Sequence, residues 1–343
     1  MCIYLVNTLG FRRWRKAGDK QSLYGLQHGR LHLQVPTAMW MNMGYWKNAT
    51  ATTTMSGACR DLLKAVLAEA GFSSEIEQAE IEQGTRRTKC LIDIGFGCGD
   101  QTIYLMSNEP VRPCDTDWWD DRSNCAKFDH YIGITKDVVQ AQYASDRIEE
   151  LKISGKMASH SSEEEPTPNI SLFPEDAAKP LAWNEQLQTC IQNATDNSQD
   201  CWMLALDTAY HFSPSRWPVI NHFHAVYNAS FMAFDLCRSP TATTTQKIML
   251  RILTALMGAP WANFVTPQEY RKRLIQAGYQ ADAITITDIS EDVFTPLATF
   301  LGEQDKRLKT LGLSIGSFSV AKTMFGWWGR SGVVRGVIIV ARK

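Results

Sequence analysis

The sequence predicts an α/β fold: a doubly wound, Rossmann-like and mostly parallel seven-stranded sheet, with helices ahead of it and a helical cap inserted late in the chain. Three observations carry that prediction. Between residues 89 and 236, short apolar runs alternate with helical patterns, the rhythm of strand-helix units that build a parallel sheet. The first run closes on a glycine-rich turn, LIDIGFGCGDQT at 91–102, of the kind that lets a backbone come close to another group. After residue 240 the rhythm breaks into amphipathic helices before the last two strands.

Each element follows from its local pattern. Residues 54–71 set Ala58, Leu62, Leu63, Val66, Leu67 and Ala70 on one helical face and stop at Gly71. KCLIDIGF is then a buried strand, and 100–107 opens the helix after the turn. HYIGIT with 137–151 forms a second unit, and NISLF (169–173) with a polar helix near 184–193 a third. CWMLALD (201–207) and the segment from Pro214 make the fourth, and SFMAFDL (230–236) is the fifth strand. Helices are then expected at 246–258, 267–277 and 292–311, with a strand at 283–289 and a final strand in VVRGVIIVA. Two stretches, 108–127 and 154–169, read as inserted loops.

Composition narrows the partners. The formal net charge is −1 over 343 residues, which argues against a nucleic-acid binder and for a small-molecule partner. The nine cysteines include no CxxC pair, and the seven histidines make no recognisable ligand set, so no metal is expected and a reducing, cytoplasmic setting fits best. No apolar run reaches the roughly 20 residues that a bilayer requires. The opening is basic, with Arg12, Arg13, Arg15, Lys16, Lys20 and Arg30 against Asp19, and such an arm favours either peripheral contact with an anionic membrane or packing over the domain. The expected assembly is a monomer or homodimer.

The glycine turn excludes the commoner nucleotide ligands. A dinucleotide fingerprint needs glycine at position 100, where this chain has Asp100, and a carboxylate at a helix N-terminus competes with a pyrophosphate. No Gly-Lys-Ser/Thr follows, so a Walker loop is excluded as well. A ligand without phosphates is left. Asp93-x-Gly95-x-Gly97-x-Gly99 resembles the first motif of the class I S-adenosylmethionine-dependent methyltransferases. YIGITKDVVQAQYASDRI resembles a later motif of the tocopherol, sterol and cyclopropane-fatty-acid methyltransferase branch, and the resemblance implies that Thr135 and Gln140 contact S-adenosyl-L-methionine. LFPEDAAKPLAW matches the family's acid after the third strand, which implies that Asp176 receives the adenine amine beside the Ala177 backbone, with Glu175 as the alternative. MNMGYW resembles the segment that closes over the methionine end of the cofactor, so Tyr45 and Trp46 either face the sulfonium or pack against the first helix.

The resemblance covers about residues 40–240 and implies four parts. These are an N-terminal arm with cofactor-covering helices at 1–75, a cofactor-binding core at 76–240, a cap for the substrate at 241–328 and the last core strand at 329–343. It also implies methyl transfer by in-line displacement, and the apolar residues of 245–265 and 291–328, among them Phe264, Phe294, Phe318 and Trp328, are expected to line a cap over a hydrophobic or aromatic acceptor, of terpenoid, polyketide, alkaloid or lipid-like character. Tyr210 and His211 follow the fourth strand, where ligands bind in open α/β sheets. His211 is the candidate general base, Tyr210 the candidate for orienting the acceptor, and Asp235 the candidate to hold His211 or a substrate hydroxyl. The alternative function keeps the cofactor but uses its charge for a lyase or isomerase reaction without methyl transfer. The chain departs from its relatives before the fifth strand, where VYNAS replaces a Pro-Gly-Gly turn and leaves that strand's register open.

Overall fold

The computed structural model describes residues 38–72, 79–80, 82–107, 128–154 and 169–343. The two stretches expected as inserted loops lie outside the described residues, apart from Ser154 and Asn169 at the edges of the second, as does nearly all of the basic arm.

Seven strands form one sheet: β1 (Lys89–Ile94), β2 (His130–Ile134), β3 (Asn169–Phe173), β4 (Asp200–Leu206), β5 (Ser230–Arg238), β6 (Ile284–Asp288) and β7 (Val334–Ala341). Their order is β3-β2-β1-β4-β5-β7-β6. The first five are parallel, and β7 runs antiparallel between β5 and β6. β1 is buried at all six positions because helices cover both faces, which is why the sequence reads as a continuous apolar run.

Helices α1 (Met55–Glu69), α2 (Asp100–Met106), α3 (Val138–Ile153), α4 (Glu185–Asp196), α5 (Trp217–Tyr227), α6 (Thr244–Leu256), α7 (Pro267–Ala277), α8 (Phe294–Thr310) and α9 (Phe318–Ser331) lie along the described residues. Thr54 caps α1 by accepting from the Gly57 amide, and Ala58, Leu62, Leu63, Val66 and Leu67 then point into the sheet. Each such leucine or valine contributes roughly 1.5–3 kcal/mol by leaving water. α1, α6, α8 and α9 share that core with Tyr131, Leu204 and Phe234. On the opposite face Leu187 and Ile191 of α4, Ile220 and Phe223 of α5, and Tyr270 and Leu274 of α7 pack against Ile92, Ile132 and Met203.

β5 pairs with β4 from Trp202 opposite Ser230 to Leu206 opposite Phe234. Asn228 adopts φ 47 and closes α5 in the left-handed region, so VYNAS makes the turn that glycines make elsewhere. The late segment divides between the two faces. α7 lies under the sheet, whereas α6, α8 and α9 lie on the side of α1. Of the aromatics expected to line a cap, Phe264, Phe294 and Trp328 are buried core, while Phe318 is exposed. α6 turns Ile248, Met249, Ile252 and Leu256 outward.

Candidate active site

The glycine turn leaves β1 at Ile94, and the Gly95 amide donates to the Ile134 carbonyl at 2.7 Å, tying the turn to the end of β2. Gly95 and Gly99 have φ 117 and 88, conformations that a side chain disfavours. What sits close to this backbone is first of all the protein itself. A Cβ on Gly95 would lie 2.6 Å from Thr208 Oγ1, and one on Gly99 2.8 Å from Ala144 Cβ of α3. Gly97 has Met41 Sδ at 3.2 Å from the same virtual atom. Asp100 is turned away from the cleft. Arg147 of α3 holds it with two bonds of 2.9 and 3.1 Å, and the Met39 amide donates to it at 3.2 Å. Asp93 lies behind the turn, fully buried, and accepts from Gln101 Nε2 at 2.6 Å and Tyr131 Oη at 2.5 Å. Burial raises its carboxyl to about 6.

Beside the turn opens a cleft of about 390 Å³ at the carboxyl ends of the parallel strands, lined in part by Gly95, Thr135, Gln140, Asp176, Ala177, Thr208 and His211. Five of the expected cofactor positions therefore share one cavity. Thr135 Oγ1 donates to Gln140 Oε1 at 3.4 Å. Asp176 accepts from the Ala178 amide at 3.1 Å and meets Lys136 Nζ and Lys179 Nζ, each at 3.4 Å, so it also caps its own turn. A larger cavity of about 610 Å³ lies between α4 and the β2–β3 edge, lined in part by His130, Asn169 and Cys190, away from the glycine turn.

The segment before α1 packs its two aromatic rings against the core. Trp46 is buried, donates from Nε1 to the Met43 carbonyl at 3.0 Å and stacks 4.8 Å from Phe300 of α8. Tyr45 joins α1 by its amide, which donates to Ala58 at 2.8 Å, and its side chain is half-buried against the same core. Neither ring is among the residues lining the cleft. The methionines before them approach the turn instead: Met39 bonds Asp100, Met41 lies over Gly97, and the Met43 amide donates to Asp207 Oδ2 at 2.7 Å.

Asp207, which the sequence did not mark, ends β4 with φ 59. Its neighbour Thr208 fills the space above Gly95, and the Tyr210 hydroxyl donates to its carboxylate. Asp207 Oδ1 is enclosed and has no hydrogen-bond partner. Desolvation outweighs the two donors and raises the carboxyl to about 7. His211 lies at the mouth with its ring 4.3 Å from that of Tyr210, and partial desolvation lowers its pKa, which keeps the imidazole neutral near pH 7.

Asp235 does not hold His211. It is fully buried, ion-paired with Arg216, and accepts from Tyr270 Oη at 3.0 Å. Arg216 in turn donates to the Asn263 carbonyl, and its guanidinium lies 5.0 Å from the Tyr270 ring. Asn263 Nδ2 donates to the Tyr210 carbonyl at 3.0 Å and to the Phe212 carbonyl at 2.8 Å. The network thus supports the 208–216 loop from beneath rather than facing a substrate.

No protein-family profile matches the chain, and no curated protein sequence matches it. Solved structures do. A protein assigned as a sarcosine dimethylglycine methyltransferase from Galdieria sulphuraria superposes with TM-score 0.58 at 10% identity, over 93% of this chain and 98% of the other. The fold is that of the class I S-adenosylmethionine-dependent methyltransferases. The cyclopropane synthase MmaA2 from Mycobacterium tuberculosis matches with TM-score 0.52 at 12% identity, over 88% of this chain and 89% of its own. The cyclase SpnF matches with TM-score 0.51 at 15% identity, over 93% and 92%. The cleft suits the cofactor of this methyltransferase fold chemically. Asp176 stands in it and Asp93 behind it, and the two lysines on its wall are engaged with Asp176.

Proposed function

We propose that this protein transfers the methyl group of S-adenosylmethionine to a hydrophobic or aromatic small-molecule acceptor. The observation that carries this reading is the convergence of Gly95, Thr135, Gln140, Asp176 and Ala177, from three separate stretches of sequence, on one cleft at the carboxyl ends of the strands. In this reading these residues hold the cofactor, Gly97 and Gly99 shape the turn, and Asp93 stiffens it from behind through Tyr131 and Gln101. The cofactor supplies an electrophilic methyl group on a sulfonium. The chain's part is to align the acceptor and keep water out. Tyr210 and His211 stand where an acceptor would enter, and a neutral imidazole there can take up a proton.

No described helix is long and apolar enough to cross a membrane, and the described cysteines are free thiols, which suits a cytoplasmic protein. Titration calorimetry with S-adenosylmethionine and S-adenosylhomocysteine tests the proposal: folded protein that gives heat with neither ligand refutes it. The likeness to SpnF gives a second reading some support, in which the sulfonium's charge drives a rearrangement. Demethylated cofactor accumulating in step with a heavier product excludes that second reading.

A further inference from the structure

We infer that the outward face of α6 docks on an anionic lipid surface. The inference goes beyond the methyl-transfer reading and does not depend on it. A surface helix normally turns polar side chains to water and apolar ones to the core. α4 does so, with Gln188, Gln192 and Asp196 outside and Leu187 and Ile191 within. α6 is built the other way round. Ile248, Met249, Ile252 and Leu256 are 58, 47, 57 and 65% exposed and share one face at helical spacing, whereas Leu250 and Thr254 are the residues it buries. The Thr254 hydroxyl is satisfied within the helix, donating to the Arg251 carbonyl at 3.1 Å. Thr243 and Gln246 cap the start of α6 reciprocally, so the outward stripe belongs to a well-begun helix.

The charge around this face matches lipid headgroups. Lys247 and Arg251 lie four apart along one side of the stripe, and no Asp or Glu occurs from 236 to 268. Neither base is ion-paired among the described residues, whereas lysines of α8 are, Lys306 with Glu303 and Lys309 with Asp305. The stretch 306–343, which includes α9 on the same side of the sheet, also lacks acids, so a chain of net charge −1 carries its acids elsewhere. An apolar helix face edged by bases is the pattern of a helix that lies in a membrane interface, with aliphatic groups among the acyl chains and cations at the phosphates.

A second copy of the chain suits the face less well. A stable homodimer takes about 800 Å² and roughly 20–30 residues from each partner. The four exposed side chains of one helix fall well short of that, whereas an interfacial helix needs only its own face. Docking also bears on the cleft. Beyond the end of α6, Trp261 stacks on Phe264, whose ring lies 6.5 Å from that of Tyr210, so one short turn joins the docked helix to the segment that carries His211.

Vesicle co-sedimentation of the full chain tests the inference. No cofactor is present, so the outcome is independent of whether the protein transfers methyl groups. The vesicles are phosphatidylcholine alone, or phosphatidylcholine and phosphatidylglycerol in equal parts. Wild type is compared with a triple variant, Ile248→Gln with Ile252→Gln and Leu256→Gln, and with a double variant, Lys247→Gln with Arg251→Gln. Glutamine is a good helix former, so α6 is kept. Wild type is expected to sediment with the mixed vesicles, and the triple variant to bind them about tenfold more weakly or worse. The double variant should bind the mixed vesicles about fivefold more weakly and phosphatidylcholine as wild type does. Without lipid, the triple variant is expected to melt within about 2 °C of wild type, because the replaced side chains face water. Wild type that stays in solution overturns the inference. So does a triple variant that sediments like wild type, since the basic opening of the chain would then be what binds. A double variant equal to wild type on the mixed vesicles removes the anionic lipid as partner and overturns it too. A larger fall in melting temperature shows the face packed within the chain, and a wild-type dimer that the triple variant turns to monomer in sedimentation velocity shows a second copy on it; either result overturns the inference.

Discussion

Replacing Asp235 by alanine leaves the Arg216 guanidinium in the interior without its counter-ion. Both side chains of this pair are fully buried at 0% exposure, so water cannot move in to compensate. Removing one partner of a buried ion pair costs about 3–5 kcal/mol. The Tyr270 hydroxyl loses its acceptor as well, and an orphaned buried polar group costs about 1–3 kcal/mol, part of which overlaps with the first loss. A total of about 4–6 kcal/mol is expected, against about 5–15 kcal/mol for a typical domain. Urea unfolding at pH 7, followed by far-ultraviolet circular dichroism, measures it. Asp235→Leu with Arg216→Met removes both charges and is expected to be less destabilised than Asp235→Ala alone, because no buried charge is left over. A cost below about 1 kcal/mol for the single variant, or a double variant worse than the sum of its singles, refutes the account of a buried and mutually dependent pair.

Further outcomes follow from the same geometry. Asp207 holds its proton more tightly in the folded protein, with a midpoint of about 7 against an ordinary 3.8, so its ionisation opposes folding and stability falls as pH rises from about 4 to 7. Asp207→Asn is therefore expected to be more stable than wild type at pH 8, by on the order of 4 kcal/mol at most, and equal to it near pH 4; melting curves across that range check both the sign and the window. Gly95→Ala brings a Cβ to 2.6 Å from Thr208 Oγ1 at an unfavourable φ, and calorimetry should show weakened S-adenosylhomocysteine binding with a stability loss of about 1–3 kcal/mol. Asn263→Ala removes two bonds to the 208–216 loop, and slower methyl transfer with cofactor affinity retained is the expected result in single-turnover assays. His211→Ala is expected to lower turnover with S-adenosylhomocysteine affinity retained, and unchanged turnover across about pH 6 to 8 refutes a part for His211 in proton uptake.

The parallel core and the glycine turn were legible in the sequence because their signals are local. β1, β2, β4 and β5 are runs of apolar residues whose burial on both faces needs no knowledge of the neighbours, and Gly95, Gly97 and Gly99 mark a backbone that side chains would obstruct. Thr135, Gln140, Asp176 and Ala177 could be assigned to one cleft because strand ends in such a sheet meet on one edge. Trp46 was harder, since an aromatic residue suits a sulfonium and a hydrophobic core equally well, and only the position of Phe300 separates the two. Asp235 stands at a strand's end, where an acid is available to a ligand unless, as here, Arg216 and Tyr270 occupy it. Asp207 could not have been singled out at all. Its character comes from an amide 164 residues away, from the thiol side of α1 and from the absence of any donor at its second oxygen. The sequence by itself determined the fold and which stretches meet at the cleft beside the glycine turn, because periodicity and turn chemistry act over a few residues. Which acids are sequestered in ion pairs, which remain free and what proton affinity they have were decided by the tertiary structure, because desolvation and hydrogen bonding depend on neighbours that the chain brings together only when it folds.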